Sequence, residues 1–216
     1  MRPQALPDAM HDSSAHIISI TNNPVWAIIF WISFYSWFFV FETWVSMRDV
    51  RAKMTTDSID SGSALFFLAM LYAGIFLALA FAFLAPQFRI DHADSDFIMF
   101  ASGITLVWMG ILFRLWSIQT LGKYFRTVVL IHDDHQLITS GPYRYLRNPS
   151  YTGSLISVLG VGLALGNWMS LFSILLAVCI GYGWRIHVEE IALKKHFGAA
   201  YEAYMKKTWS LILFVW

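Results

Sequence analysis

The sequence predicts an all-α integral membrane protein with five transmembrane helices. Hydrophobic residues make up 57% of the 216 positions and charged residues only 13%, and the chain has eighteen Phe and ten Trp. This is far more apolar than a soluble domain of this size. Five apolar runs alternate with polar segments, and a helix of about 20 residues crosses a hydrocarbon core of about 30 Å. The runs cover residues 24–45, 63–85, 96–117, 151–166 and 168–184.

Local signals divide the chain into a polar tail, residues 1–23, and one membrane domain, residues 24–216. The pair Asn23-Pro24 is typical of a helix start, and Pro86 closes the second run. Arg114 lies near the end of the third run, from where its long side chain can reach the interface. The net charge of +1 gives no indication of nucleic-acid binding.

The last two runs predict a short helical hairpin, because Asn167 alone separates them. Gly162 and Gly166 form a pair of small residues four apart, which favours close helix packing. The charged stretch from Arg185 predicts an amphipathic helix on the interface, ended by Gly198.

The distribution of Lys and Arg predicts the orientation. Twelve of the fifteen lie in three polar segments that share one side of a five-span arrangement: 47–62, 118–148 and 185–216. The positive-inside rule assigns that side to the cytoplasm. We therefore expect an external N-terminus, with the C-terminus and any site built from these segments in the cytoplasm.

A motif precedes the fourth run. It has a Gly-Pro turn at Gly141, two arginines, Arg144 and Arg147, and then Asn148 and Pro149 in positions that suit an N-cap and a first helical turn. A helix start beside basic side chains favours anions. The alternative is a capped helix with basic residues at the membrane surface.

The predicted hairpin brings this motif to a second group of polar residues. Arg185 and Glu189 are four apart and so share a helix face. Together the two segments would offer a cation, acids, aromatic rings and a helix N-terminus at the membrane border, which suits a charged cofactor and a lipophilic substrate. The alternative is a surface ion pair between Arg185 and Glu189 that stabilises little.

Metal and disulfide chemistry have little support in the sequence. The single cysteine, Cys179, excludes an internal disulfide and a multi-cysteine metal site. The histidines lack ligand-like spacing, so we expect no metal.

An ordered set of motifs resembles the isoprenylcysteine carboxyl methyltransferases and their bacterial relatives. The set covers about residues 110–216, the catalytic half that the resemblance implies. It consists of Arg114-Leu-Trp116, Leu121-Gly-Lys-Tyr-Phe125, Gly141-Pro-Tyr-Arg-Tyr-Leu-Arg-Asn-Pro-Ser-Tyr-Thr-Gly153, Gly166-Asn-Trp168, Arg185-x-x-x-Glu189-Glu190 and Phe197-Gly-x-x-Tyr201-x-x-Tyr204.

The resemblance implies an enzyme that uses S-adenosylmethionine to methylate a carboxylate on a lipid-modified substrate at the cytoplasmic face. Its partners would be that lipophilic substrate and membrane lipid, with no metal and no nucleic acid. Arg185 would be the catalytic residue. Arg185 and Glu190 would both face the substrate. The cofactor would contact Gln136, Leu137, Ile138, Tyr143, Asn148, Pro149, Ser150, Tyr151 and Glu189.

One position departs from the family pattern, because Asn148 stands where the family usually has His. Asn both donates and accepts hydrogen bonds but carries no charge. Three other functions stay open on sequence alone: a phospholipid N-methyltransferase with the same donor, an intramembrane reductase that uses a nicotinamide cofactor, and a non-enzymatic membrane scaffold. The lipid carboxylate itself is also left open.

Overall fold

The computed structural model describes residues 23–41, 44–45, 62–90, 96–125 and 136–212. The predicted N-terminal tail, apart from Asn23, and most of the first charged loop lie outside the described residues. All regular elements within the described ranges are helices, which confirms the all-α prediction. The α-helices are α1 (Pro24–Tyr35), α2 (Ser63–Leu84), α3 (Asp96–Leu121), α4 (Pro149–Leu165), α5 (Trp168–Phe197) and α6 (Ala199–Met205).

Helix α1 begins where the sequence predicts. The Asn23 side-chain oxygen accepts hydrogen bonds from the N–H groups of Val25 at 3.0 Å and Trp26 at 3.4 Å. Pro24 occupies the first turn, where its missing N–H costs nothing. The helix then continues as a π-helix over Ser36–Phe41.

Four helices are long and apolar enough to cross a membrane: Pro24–Phe41, Ser63–Leu84, Asp96–Tyr124 and Trp168–Phe197. The chain is therefore a multi-pass membrane protein. Helix α4 has 17 residues, about 26 Å at 1.5 Å per residue, which is shorter than a typical hydrocarbon core. The count of five spans stays a prediction.

Glycines let α3 and α4 pack with their backbones close together. A Cβ atom at Gly103 would lie 2.7 Å from the carbonyl oxygen of Gly160, and one at Gly110 would lie 2.4 Å from that of Gly153. Both helices repeat their glycines after seven residues, so two contacts form along one line. Small residues of this kind allow membrane helices to approach closely.

Helix α5 packs against α2 in a similar way. A Cβ atom at Gly74 would lie 2.8 Å from the Ala177 Cβ atom. The Ser170 hydroxyl donates to the Ala78 carbonyl at 2.6 Å. Hydrogen bonds between helices satisfy polar groups that lipid cannot.

The predicted hairpin is present, with Gly166 and Asn167 between α4 and α5. Gly166 has φ of 64°, which suits glycine. The Asn167 oxygen caps α5, and its amide donates to the Ala85 carbonyl at 3.0 Å. The Ile90 N–H also donates to the Gly166 carbonyl at 2.9 Å, so this turn and residues 85–90 lie at one end of the molecule.

The predicted end of the last membrane helix was wrong. Helix α5 does not end at residue 184 but runs for 30 residues to Phe197, so the charged stretch is not a separate interfacial helix. No helix breaker occurs before Gly198, and the Arg185 side chain is satisfied inside the protein. Gly198, with φ of 52°, ends the helix as predicted.

Arg114 does not snorkel. Helix α3 continues for two more turns to Leu121, and Arg114 is buried, with its guanidinium carbon 5.4 Å from the centre of the Phe41 ring. An arginine stacked on an aromatic ring is partly compensated for lost hydration.

Candidate functional site

A tight turn leads into α4 and fixes the predicted motif. Gly141 has φ of 56°, and residues Gly141–Arg144 form a 3-10 turn that buries Pro142 and Tyr143. Arg144 is exposed and lies over the Tyr145 ring. Of the two motif arginines, only Arg147 therefore points into the protein.

Asn148 occupies the N-cap position of α4, but its side chain does not cap the helix. Its amide nitrogen instead donates to the Ser210 carbonyl oxygen at 3.1 Å. The predicted N-cap position of Asn148 and the place of Pro149 in the first turn are confirmed, but the Asn148 side chain bonds to a segment close to the C-terminus instead of capping α4.

The first turn of α4 holds a polar atom without a partner. The Ser150 side chain is buried, and its hydroxyl oxygen makes no hydrogen bond within the described residues. An unsatisfied buried hydroxyl costs free energy, so such groups are rare, and a bound water, ion or ligand is one explanation for them.

Three side chains from α4 and α5 meet in a buried cluster. The Arg185 Nε atom lies 2.9 Å from the Glu189 Oε1 atom and donates to the Tyr151 hydroxyl at 3.2 Å. The Tyr151 hydroxyl donates to the same Glu189 oxygen at 2.6 Å. A second guanidinium nitrogen of Arg185 donates to the Ser63 hydroxyl at 2.9 Å, which ties the cluster to α2.

Burial decides between the two interpretations of the Arg185–Glu189 pair. The Arg185 side chain is 3% exposed and that of Glu189 is 19% exposed, so the surface ion pair was the wrong alternative. Coulomb attraction is stronger here than in water. Glu189 is the more exposed member of the pair, so its carboxylate can accept a hydrogen bond from a further donor.

Aromatic rings line one side of this cluster. The Tyr151 and Tyr182 ring centres are 4.7 Å apart, and Tyr182 stacks on Phe67 at 4.6 Å. Tyr182 is fully buried. The charged groups therefore border a dry apolar surface, which keeps water from them.

A second ion pair lies beside the first. The Arg147 Nε atom donates to the Glu190 Oε1 atom at 2.9 Å, and both side chains are mostly buried. The structure thus brings Glu190 to Arg147 rather than to Arg185. The same Glu190 oxygen accepts a longer bond, 3.4 Å, from the Ser210 hydroxyl.

A buried tyrosine on α6 contacts a buried tyrosine of the motif. The Tyr204 hydroxyl donates to the Tyr143 carbonyl at 2.6 Å. Burial raises the pKa of the Tyr143 phenol above its ordinary value, and burial does the same to the pKa of Tyr204. Both phenols therefore stay neutral at physiological pH, and the Tyr204 hydroxyl is a fixed hydrogen-bond donor to the motif.

The remaining predicted cofactor residues are spread along the motif. Pro149 is buried in the first turn of α4. Gln136 is exposed, while Leu137 and Ile138 are half-buried, in the non-helical segment that precedes the turn at Gly141. Their contact with a cofactor stays a prediction.

Sequence reasoning missed the residues that complete the site from a distance. Ser63, Thr208 and Ser210 carry no motif that links them to α4 or α5, and only the fold brings them there. Within the described ranges, no group of three His, Cys, Asp or Glu side chains is placed to hold a metal.

Comparison with known proteins identifies the family. A family profile described as "Phospholipid methyltransferase" matches residues 98–200. The protein-S-isoprenylcysteine O-methyltransferase of Schizosaccharomyces pombe is 30% identical over 192 residues, which cover 81% of this chain and 78% of that protein. The chain belongs to the isoprenylcysteine O-methyltransferase family.

Other members of this family match about half of the chain. The "Probable protein-S-isoprenylcysteine O-methyltransferase" of Oryza sativa subsp. indica is 36% identical over 115 residues. That match covers 52% of this chain and 60% of the rice protein, so the chain matches only about three fifths of that relative's length. The family membership confirms the resemblance, and the relatives compared are named as isoprenylcysteine O-methyltransferases.

A solved structure shares the fold. The eukaryotic intramembrane Ras methyltransferase ICMT, an isoprenylcysteine carboxyl methyltransferase, superposes with a TM-score of 0.51. The match covers 89% of this chain and 94% of that chain at 19% identity. It supports a helical membrane fold.

Proposed function

We propose that this protein transfers a methyl group from S-adenosylmethionine to the carboxylate of an isoprenylcysteine-like lipophilic substrate at the membrane border. The observation that carries the proposal is the buried cluster of Tyr151, Arg185 and Glu189 beside an apolar wall. These residues stand at the motif positions of the family to which the chain belongs.

The start of α4 fits the methyl donor. The donor carries a carboxylate, an ammonium group and ribose hydroxyls, and it supplies an electrophilic methyl group on a sulfonium when bound. The partnerless Ser150 hydroxyl lies at a helix N-terminus, which favours an anionic group. Glu189 is the acceptor for hydroxyl or ammonium groups. Tyr143, Pro149 and Tyr151 would shape the rest of the donor site.

Arg185 would hold the substrate carboxylate. A carboxylate is ionised near neutral pH, so it needs no general base before it attacks a methyl group. It needs a fixed position and little competing water. The Ser63 and Glu189 contacts hold the guanidinium of Arg185 still, and the guanidinium keeps its charge at any physiological pH.

The distribution of Lys and Arg in the sequence supports a cytoplasmic site. The motif and Arg185 lie at the end of the molecule opposite to the Gly166 turn. Among the described residues, this end carries Arg144, Arg147, Lys194 and Lys195, and segments rich in Lys and Arg face the cytoplasm in most membrane proteins.

Binding of S-adenosylhomocysteine, the demethylated donor, tests the proposal without turnover. We expect the purified protein in detergent to bind it in calorimetry. Glu189→Gln should weaken binding about tenfold, because a neutral amide no longer attracts the ammonium group or accepts as strongly. Glu202→Gln, an exposed acid on α6, is the matched control and should bind like the wild type.

Two results would contradict the donor site. One is the absence of heat and of any thermal shift at millimolar ligand. The other is equal affinity for the Glu189→Gln and Glu202→Gln variants, which would move the donor away from α5.

Phospholipid N-methylation is the second candidate, because the matching family profile is described as "Phospholipid methyltransferase". It would use the same donor but an amine acceptor, which must lose a proton before it attacks. The described site offers both the Arg185 guanidinium and the Glu189 carboxylate beside Tyr151, and the arginine is the more deeply buried of the two. A fixed cation favours a carboxylate acceptor and repels an ammonium headgroup.

A further inference from the structure

Four residues close to the C-terminus, Thr208–Leu211, lie along the start of α4, and we call them the C-terminal strap. Three backbone hydrogen bonds hold the strap in register: Trp209 N–H to the Tyr145 carbonyl at 2.9 Å, Arg147 N–H to the Trp209 carbonyl at 2.8 Å and Asn148 N–H to the Ser210 carbonyl at 3.1 Å. The strap thus supplies one donor and two acceptors to the backbone just before α4.

Side chains fasten the strap at both of its ends. Arg147 donates to the carbonyl oxygens of Met205, at 3.2 Å, and Thr208. The Asn148 amide donates to the Ser210 carbonyl at 3.1 Å. At the far end the Thr152 hydroxyl donates to the Leu211 carbonyl at 2.6 Å, and the Leu211 side chain is buried in the core.

The Arg147–Glu190 pair links the strap to α5. Glu190 is adjacent in the chain to Glu189, so a shift of one acid moves the other. A buried pair of this kind contributes little net stability, but it specifies one arrangement among several. The Arg147–Glu190 pair lies between the strap, α4 and α5, so the arrangement that it would specify is how these three segments meet at the donor site.

We propose that the C-terminal strap positions the donor site, and that Arg147, Asn148 and Glu190 are positioning residues that act through it. This inference rests on the proposed function. Ser150 and Tyr151 follow Asn148 by two and three residues, in the first turn of α4, so the docked strap fixes both of them. Asn148 therefore contributes by its hydrogen bond to Ser210, and Glu190 by its bond to Arg147, without touching the donor or the substrate.

The experiment measures strap docking and donor affinity in the same preparations. A single reporter cysteine is made by Leu211→Cys in a Cys179→Ser background, and its alkylation by N-ethylmaleimide is timed in detergent. The cysteine is buried while the strap is docked. Calorimetry with S-adenosylhomocysteine gives the affinity. Lys206→Ala, an exposed residue before the strap, is the control and should change neither quantity.

We expect Asn148→Leu to speed alkylation at least fivefold and to weaken ligand binding about tenfold or more. Asn148→His should restore both, since an imidazole N–H can donate to Ser210. Glu190→Gln is a second variant of almost unchanged shape and should shift both quantities in the same direction. Adding Arg147→Gln to Glu190→Gln should speed alkylation and weaken binding further, because it also removes the hydrogen bonds to the Met205 and Thr208 carbonyls at one end of the strap.

Three results would overturn the inference. Faster alkylation with unchanged affinity would show that the strap does not position the donor site. Weaker binding with unchanged alkylation would show that Asn148 or Glu190 touches the ligand directly. The third result is the absence of S-adenosylhomocysteine binding in both the reporter protein and the unmodified protein, which would remove the proposed function and this inference with it.

Discussion

At the scale of single residues, Arg185 and Ser150 differ in how fully their buried polar groups are hydrogen-bonded. Arg185 is surrounded by partners from three helices, whereas the Ser150 hydroxyl is buried with no hydrogen bond in the described structure. The first residue is held in place by the fold. The second costs the fold free energy, and a ligand would recover that cost.

Arg185→Lys should lower turnover about tenfold or more, a loss of about 1.4 kcal/mol of transition-state stabilisation. Lysine keeps the charge but cannot contact Ser63, Tyr151 and Glu189 together while it also aligns a carboxylate. The check is turnover beside S-adenosylhomocysteine affinity, and the affinity should fall less than the turnover. Equal losses would place Arg185 in the donor site, and near wild-type turnover in Arg185→Ala would exclude it from the chemistry.

Ser150→Ala should leave stability unchanged or raise it by about 1 kcal/mol, because it removes an unsatisfied buried hydroxyl. The same change should weaken S-adenosylhomocysteine binding about fivefold. Ser157→Ala is the matched control on α4, since its hydroxyl donates to the Val107 carbonyl at 3.0 Å. That variant should lose about 1 kcal/mol of stability and keep its affinity. The opposite pattern in thermal unfolding and calorimetry would contradict the role given to Ser150.

At the scale of helices, the contact between α3 and α4 positions the motif. A Cβ atom at Gly160 would lie 2.5 Å from the Gly103 carbonyl oxygen, which is backbone and cannot move aside. Gly160→Leu should therefore lower the unfolding free energy by about 2 kcal/mol or more. Gly183→Ala is the control, because nothing lies within 4 Å of a Cβ atom there. It should be neutral or slightly stabilising in denaturation by sodium dodecyl sulfate, and equal losses in the two variants would contradict the packing.

Helix starts, the hairpin and the residues of the buried cluster were predictable because each rests on local chemistry. Asn23 and Asn167 cap the helices that follow them, and Arg185 and Glu189 share a face by spacing alone. The side-chain cap at Asn148 and the end of α5 were not predictable, because partners far along the chain decide them. The Ser210 carbonyl accepts a hydrogen bond from the Asn148 amide. Ser63, on α2, accepts one from Arg185, which lies within the continuous helix α5.

The glycines also show that partners far along the chain limit prediction from sequence. The pair Gly162 and Gly166 predicted a close helix approach, yet their roles differ. A Cβ atom at Gly162 would lie 2.6 Å from a Leu171 methyl carbon, whereas Gly166 serves the turn through its φ of 64°. The main contact instead uses glycines seven residues apart, and a sequence cannot say which of several glycine pairs meets a neighbour.

At the scale of the whole molecule, the charge distribution predicts an external N-terminus and a cytoplasmic C-terminus. Cysteines placed in turn near each end, in a Cys179→Ser background, would be tested with a membrane-impermeant maleimide on intact cells. We expect labelling near residue 2 and none near residue 216 until the cells are opened. Labelling of both ends, or of neither, would contradict an odd number of spans and with it the five-span arrangement.

The proposed reaction makes a methyl ester, and esters are cleaved by mild alkali whereas N-methyl groups are not. The direct measurement supplies S-adenosylmethionine labelled in its methyl group, together with a prenylated N-acetylcysteine, to the purified protein in lipid vesicles. The account predicts label in the lipid extract that alkali releases as volatile methanol, and none when the carboxyl group is already esterified. Label that enters phosphatidylethanolamine and resists alkali, with none on the prenylcysteine, would contradict it.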